Sequence, residues 1–167
     1  MAMPDRWVRA GLTARRITAD DLSFVHSMHT DSATMAPIGG VRDLDESIDY
    51  LRIAVEHWAD HGVGMYLLFD GDRLAGRAGI KRDGDDIELA YTLVPTQWGR
   101  GLATAVASHL VRSAVVHRVP AERVVAYTRL DNAASRRVMD KIGLRLDAHV
   151  ERNGHPCVKY SRSLHRP

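Results

Sequence analysis

The sequence predicts an α/β (α+β) fold: a mixed, largely antiparallel central sheet of about seven strands with helices on both faces. Three observations carry that prediction. Segments with twofold and with helical apolar periodicity follow one another in the order β-α-α-β-β-β-α-β-α-β-β. That order holds a three-strand meander and a single β-α-β unit, unlike the regular alternation of a doubly wound sheet. The chain has 167 residues, 45% of them hydrophobic and 26% charged, which suits one buried core. A single domain over residues 8–165 is expected, with residues 1–7 flexible.

Each element has a local reason. Leu12-Thr13-Ala14-Arg15-Arg16-Ile17 alternates as a strand does, and Thr18 with Asp21 forms a helix-start pair ahead of a helix over Ala19 to His29. Asp45 to His61 places Ile48, Leu51, Val55 and Trp58 three and four apart, and Gly62 supplies the stop. The apolar runs Val63 to Phe69, Leu74 to Ile80 and Ile87 to Val94 are separated by Asp70-Gly71-Asp72 and Asp83-Gly84, which predicts hairpins. Gly99 to His117 then spaces Leu102, Val106, Leu110 and Ala114 four apart, with Ala103 and Ala107 as small contacts beside them. A strand over Arg123 to Thr128, a helix over Ala133 to Ile142 stopped by Gly143, and two strands joined by Asn153-Gly154 complete the chain.

Composition excludes several classes of function. Lys and Arg number 23 against 21 Asp and Glu, so charge alone gives no nucleic-acid-binding face. The first residues lack a secretory apolar stretch, and the run Val63 to Phe69 is far short of the ~20 residues of a membrane span. The single cysteine, Cys157, offers neither a disulfide nor a zinc pattern. A cytoplasmic protein without a membrane or nucleic-acid partner is expected, either monomer or homodimer. His57 and His61 lie four apart, a spacing that can hold a metal, but no third ligand supports it, and no metal is expected.

The most informative segment is Val94-Pro95-Thr96-Gln97-Trp98-Gly99-Arg100-Gly101-Leu102-Ala103-Thr104. Its two glycines lead a strand into a helix, where unpaired N–H groups and the helix dipole attract phosphate. A plain turn uses the same residues. A P-loop would need Gly-Lys-Ser/Thr, which is missing, and a dinucleotide fingerprint would need glycine where Thr104 stands.

Taken together, Glu88-Leu89-Ala90-Tyr91, Trp98-Gly99-Arg100-Gly101-Leu102-Ala103 and Asn132-x-x-Ser135 resemble the GNAT superfamily of acyl-CoA-dependent N-acyltransferases. The resemblance spans roughly Leu12 to Leu164 and is strongest for the RimJ/RimL-like branch of ribosomal-protein N-terminal acetyltransferases, in which tryptophan is usual where Trp98 stands. It implies acetyl-CoA as acyl donor and an amine acceptor, either a small molecule or a protein N-terminus. It also implies that the N–H groups between Trp98 and Thr104 hold the diphosphate. Pantetheine would pair with the strand end at Leu93 and Val94, whose N–H groups would steady the oxyanion. Met139 stands where many members carry a proton-donating tyrosine, and Gly143-Leu144 replaces a common Gly-Phe pair.

Acyl transfer from a thioester needs a neutral amine, a polarised carbonyl and a protonated leaving thiolate. Glu88 is the candidate base: alternation sets it with Ala90 and Thr92 on a cleft face, where desolvation would raise a carboxylate's pKa. A surface glutamate is the bland alternative. Ser135 is the candidate thiol partner and Asn132 a pantetheine anchor, although both also fit a helix cap and first turn. Tyr160 reads as a core tyrosine before a cleft residue, Cys157 as an inert strand residue, and Arg136-Arg137 as either solvated arginines or ribose-phosphate contacts. Asp31, Asp43, Asp45 and Glu46 would favour a cationic acceptor, unless they serve helix starts. Two other functions fit the glycine turn: a non-catalytic acyl-CoA sensor and a nucleotide-binding domain.

Overall fold

The computed structural model describes residues 2–165. Its eight strands form one sheet in the order β1-β2-β3-β4-β5-β6-β8-β7. They are β1 (Arg6–Arg9), β2 (Leu12–Arg16), β3 (Met65–Asp70), β4 (Arg73–Asp83), β5 (Asp86–Leu93), β6 (Arg123–Arg129), β7 (Arg145–Arg152) and β8 (His155–Ser163). Every pairing is antiparallel except β5 with β6. The helices are α1 (Leu22–Thr30), α2 (Ser32–Met35), α3 (Leu44–His61), α4 (Leu102–Val116) and α5 (Ala133–Lys141).

The mixed sheet is as the periodicity predicts, with one strand added. Arg6–Arg9 pairs with Leu12–Arg16 through a tight turn at Ala10 and Gly11, both with positive φ. Residues 3–7, expected to be flexible, are held instead: Met3 N–H donates to Gly62 O at 2.9 Å, and Met3 and Trp7 are buried. Trp7 stacks on His109 of α4 with centroids 4.4 Å apart, so an apolar anchor offsets the entropy of ordering the terminus.

Helix starts follow local chemistry. Asp21 accepts from the Thr18 N–H at 2.7 Å, and the Asp43 and Glu46 side chains bond reciprocally to each other's N–H groups at 2.8 Å, a capping box that opens α3. The expected apolar stripe of α3 is rotated. Leu51 and Trp58 are buried, but Ile48 is 43% exposed and Ser47 takes the inner position. Along α4, Leu102, Val106, Leu110 and Ala114 are all buried. Asn153 and Gly154 both take positive φ in the β7–β8 turn, as an Asn-Gly hairpin requires.

Two faces matter for the site. The Tyr91 hydroxyl reaches Ser135 of α5, whereas Arg77 of β4 reaches His29 of α1, so adjacent β4–β5 positions look toward opposite helix layers. Among the described residues no helix is long and apolar enough to cross a membrane.

Candidate active site

The sheet opens at its one parallel pairing. β5 and β6 pair only at Ile87 with Val124 and Glu88 with Val125, and beyond Glu88 the two strands part. Val94 N–H donates to Ala75 O at 2.9 Å, so this position faces β4. By the alternation of an antiparallel ladder, the N–H groups of Leu93 and Tyr91 face the gap. The joint expectation for Leu93 and Val94 therefore divides. Leu93 has an N–H to offer a ligand, while that of Val94 is spent on the neighbouring strand.

At the end of β5 the chain turns into α4. Gly99 and Gly101 both have φ of +72°, and an added Cβ at either would meet no protein atom within 4 Å. The turn thus needs glycine for its backbone and leaves clear space above it. Among the described residues, the N–H groups of Gly99, Arg100, Gly101, Leu102, Ala103 and Thr104 have no hydrogen-bond acceptor. Six such donors at a helix N-terminus suit a diphosphate. Trp98 closes the turn by donating its indole Nε1–H to Leu93 O at 2.8 Å, a contact that the sequence does not announce. The Arg100 guanidinium is tied to Gln97 Oε1 at 2.9 Å and lies 3.7 Å from Asp70, so its backbone is what it offers a ligand.

A cavity of ≈ 750 Å³ joins this turn, the gap and the α1–α3 side of the sheet. Glu88 and Ser135 both line it, from opposite faces. The Glu88 side chain is 14% exposed, and its Oε1 is shared by Lys81 Nζ at 3.5 Å and Arg152 Nη1 at 3.4 Å. Oε2 is the oxygen left for a proton. Arg152 also stacks over the Tyr127 ring at 4.0 Å, and the Tyr127 hydroxyl donates to Asp83 at 3.0 Å. Burial, with Asp83 adding to it, pushes that phenol up to about 12.

Asn132 caps α5 by accepting from Ser135 N–H at 3.1 Å. The Ser135 hydroxyl lies 3.1 Å from the Tyr91 hydroxyl, whose pKa burial pushes up to about 12 against a smaller lowering by Ser135. A phenol that keeps its proton is thus held against Ser135, four residues before the buried Met139, which has none to supply. Tyr91 was missed as a site residue because no spacing relates it to Ser135, 44 positions away.

On the other face lies a second unanticipated cluster. His29 is fully buried, with Nδ1 2.8 Å from Ser47 Oγ and Nε2 2.8 Å from Arg77 Nη1. Arg77 can only donate, so Nε2 accepts and the proton sits on Nδ1, donating to Ser47. Ser47 in turn donates to Asp43 O at 2.9 Å. Burial first, then the charges of Arg77, Arg42 and His26, push the His29 pKa down to about 3.

The remaining signals resolve simply. His57 uses both ring nitrogens, donating to Val63 O at 2.8 Å and accepting from Arg82 N–H at 2.9 Å, and no metal-ligand cluster exists among the described residues. Tyr160 is buried and accepts from Arg136 Nε at 3.3 Å. Arg137 and Cys157 both line the cavity. Of the two roles open to Asp31, Asp43, Asp45 and Glu46, the helix-start one holds: Asp31 and Asp43 cap, Asp45 and Glu46 lie in the first turn of α3, and none lines the cavity, where Arg42 and Arg77 stand instead.

The model of the acetyltransferase (GNAT) domain matches residues 12–145. The chain belongs to the GNAT acetyltransferase family. No curated protein matches its sequence significantly. Solved structures share the GNAT fold at low identity. An acetyltransferase from Agrobacterium tumefaciens is 22% identical with a TM-score of 0.80, covering 97% of this chain and 95% of its own. RimL, a ribosomal L7/L12 alpha-N-protein acetyltransferase solved with coenzyme A, is 19% identical with a TM-score of 0.80, covering 98% of each chain. Spermidine N-acetyltransferase from Vibrio cholerae, solved with CoA and spermine, is 15% identical with a TM-score of 0.74, covering 93% of this chain and 96% of its own.

Proposed function

We propose that the chain transfers the acetyl group of acetyl-CoA to a primary amine by direct attack in a ternary complex. The observation that carries this reading is the gap between β5 and β6, which opens just past Glu88 and ends at six unpaired N–H groups on the turn into α4. The N–H groups of Gly99 to Thr104 hold the diphosphate, and Leu93 N–H supports the oxyanion that develops on the thioester carbonyl. Asn132 keeps its cap and offers its remaining amide donors to the pantetheine arm.

The chemistry then needs two proton movements. Glu88 takes a proton from the bound ammonium, through water, at Oε2. The neutral nitrogen attacks the carbonyl carbon, the C–N bond forms and the C–S bond breaks. The amine's second proton is released to solvent, and the thiolate gains one from the Ser135 hydroxyl, which Tyr91 positions through its 3.1 Å contact; solvent returns a proton to Ser135 and takes the one held by Glu88. Similarity around Trp98 supports a place near the RimJ/RimL-like branch, and so a protein N-terminal α-amine as one acceptor beside small-molecule amines.

Met139 in place of a catalytic tyrosine favours one competing reading, a non-catalytic acyl-CoA sensor. A thiol-release assay with acetyl-CoA and a panel of small amines and N-terminal peptides separates the two. Amine-dependent release supports the transferase; binding of acetyl-CoA with no release from any acceptor refutes it and leaves the sensor.

A further inference from the structure

Arg77 is the least expected residue of the cavity. It is 6% exposed, and among the described residues no carboxylate lies within salt-bridge distance of it. Its contacts are the neutral His29 Nε2 at 2.8 Å and the face of Tyr50, 4.1 Å from the guanidinium carbon. A buried cation is costly unless an anion pairs with it. A second cation aggravates the cost: Arg42 is half-buried and approaches the same Tyr50 ring at 5.9 Å. The hydroxyl of that same Tyr50 is itself buried without a hydrogen-bond partner among the described residues. All three side chains line the cavity on the α1–α3 side, away from the α4 turn, and Glu88 is the one carboxylate among the described lining residues.

Two arginines and an unpaired hydroxyl around a shared cavity wall have the donor set of a carboxylate clamp. His29 contributes by accepting from Nη1, which fixes the guanidinium plane and leaves its other donors for a ligand. In the β4–β5 register Arg77 stands opposite Thr92, next to Leu93, whose N–H faces the gap. The Arg77 backbone is thus one register position from the N–H assigned to the oxyanion, which suits an acceptor whose anion lies a short spacer from the attacking nitrogen.

We infer that the acceptor is an amine that also carries a carboxylate a few bonds from its nitrogen, bound by Arg77, Arg42 and the Tyr50 hydroxyl. This inference rests on the acetyl-transfer reading and names its substrate class. Such a carboxylate can belong to a free amino acid or to an acidic first residue of a peptide.

The test measures thiol release from acetyl-CoA with matched pairs: an amino acid against its primary amide, and a peptide beginning with Asp against one beginning with Asn. The amide's less basic amine gives it a chemical advantage, so a preference for the carboxylate has to come from binding. Charge-assisted bonding predicts kcat/KM about 10- to 100-fold higher for the carboxylate member of one pair, and the preferred pair identifies the source. In R77Q that ratio collapses toward one, while R77K, which keeps the charge without the fork, retains part of it. The wild-type ratios stand whatever the stability of the variants. Equal rates within both pairs, or a ratio that survives R77Q, overturn the inference and leave acetyl transfer intact. Absence of release with every acceptor overturns both.

Discussion

Acidification offers a quantitative probe of the His29 cluster. The imidazole has an ordinary pKa of 6.5 in the unfolded chain and is held at about 3 in the fold by burial and by the charges of Arg77, Arg42 and His26. Between those values the unfolded chain binds a proton that the folded chain refuses, so stability falls as pH drops below the unfolded value and stops falling near the folded one. At about pH 5 the unfolded state gains RT ln(1 + 10^1.5), about 2 kcal/mol, relative to about pH 8. The figure depends only on the folded pKa lying well below 5, because protonation would set an imidazolium against Arg77 at 2.8 Å. For a chain of this size the loss corresponds to about 4 to 8 °C in Tm. His57 and His109 are also depressed by burial and add to the acid slope, so the comparison is with H29Q, which keeps an acceptor for Arg77 and a donor for Ser47. Urea unfolding of both proteins at the two pH values should show the wild type losing about 2 kcal/mol more than H29Q. Parallel pH profiles would refute the assignment of a buried neutral His29.

Three substitutions test the site. E88Q should lower kcat near neutral pH by about 10²- to 10⁴-fold, with acetyl-CoA affinity by calorimetry little changed; unaltered turnover would dismiss Glu88 as the base. N132A removes the bond to Ser135 N–H and should cost about 1 kcal/mol in unfolding experiments. It should also weaken acetyl-CoA binding, and equal affinity in the folded variant would reduce Asn132 to a cap. G101A places a side chain at φ of +72° in otherwise open space, so about 1 to 2 kcal/mol of stability is lost to strain. Its Cβ also projects into the clear space above the turn, and calorimetry should find weaker coenzyme A binding.

Much of the fold was legible because its signals are local. The four-residue spacing of Leu102, Val106, Leu110 and Ala114, the Asn153-Gly154 turn and the Thr18–Asp21 pair each determine structure with neighbours a few residues away. The extra strand Arg6–Arg9 was hidden because three of its four residues are exposed and its turn uses Ala10, not a typical left-handed residue. Ile48 misled for a tertiary reason: the inner position of α3 went to Ser47, which bonds His29 and His26 of another helix. At the site, the glycine turn could be read directly, since φ and exposed N–H groups follow from sequence order. The cavity's other wall could not. Arg77 within an alternating strand reads as a solvent-facing residue, and nothing local reveals that α1 and α3 cover it. The engagement of Val94 with Ala75 likewise depends on register between strands, which the β5 sequence alone does not specify.

The proposed transferase depends on the N–H groups from Gly99 to Thr104 seating the coenzyme A diphosphate at the mouth of the β5–β6 gap. Amide chemical shifts recorded during titration with coenzyme A test it most directly. Saturable shifts are expected, concentrated at Gly99, Arg100, Gly101, Leu102, Ala103 and Thr104, followed by Leu93 along the gap. Saturation that leaves these six amides unmoved, with the shifts gathered on another face, would contradict it.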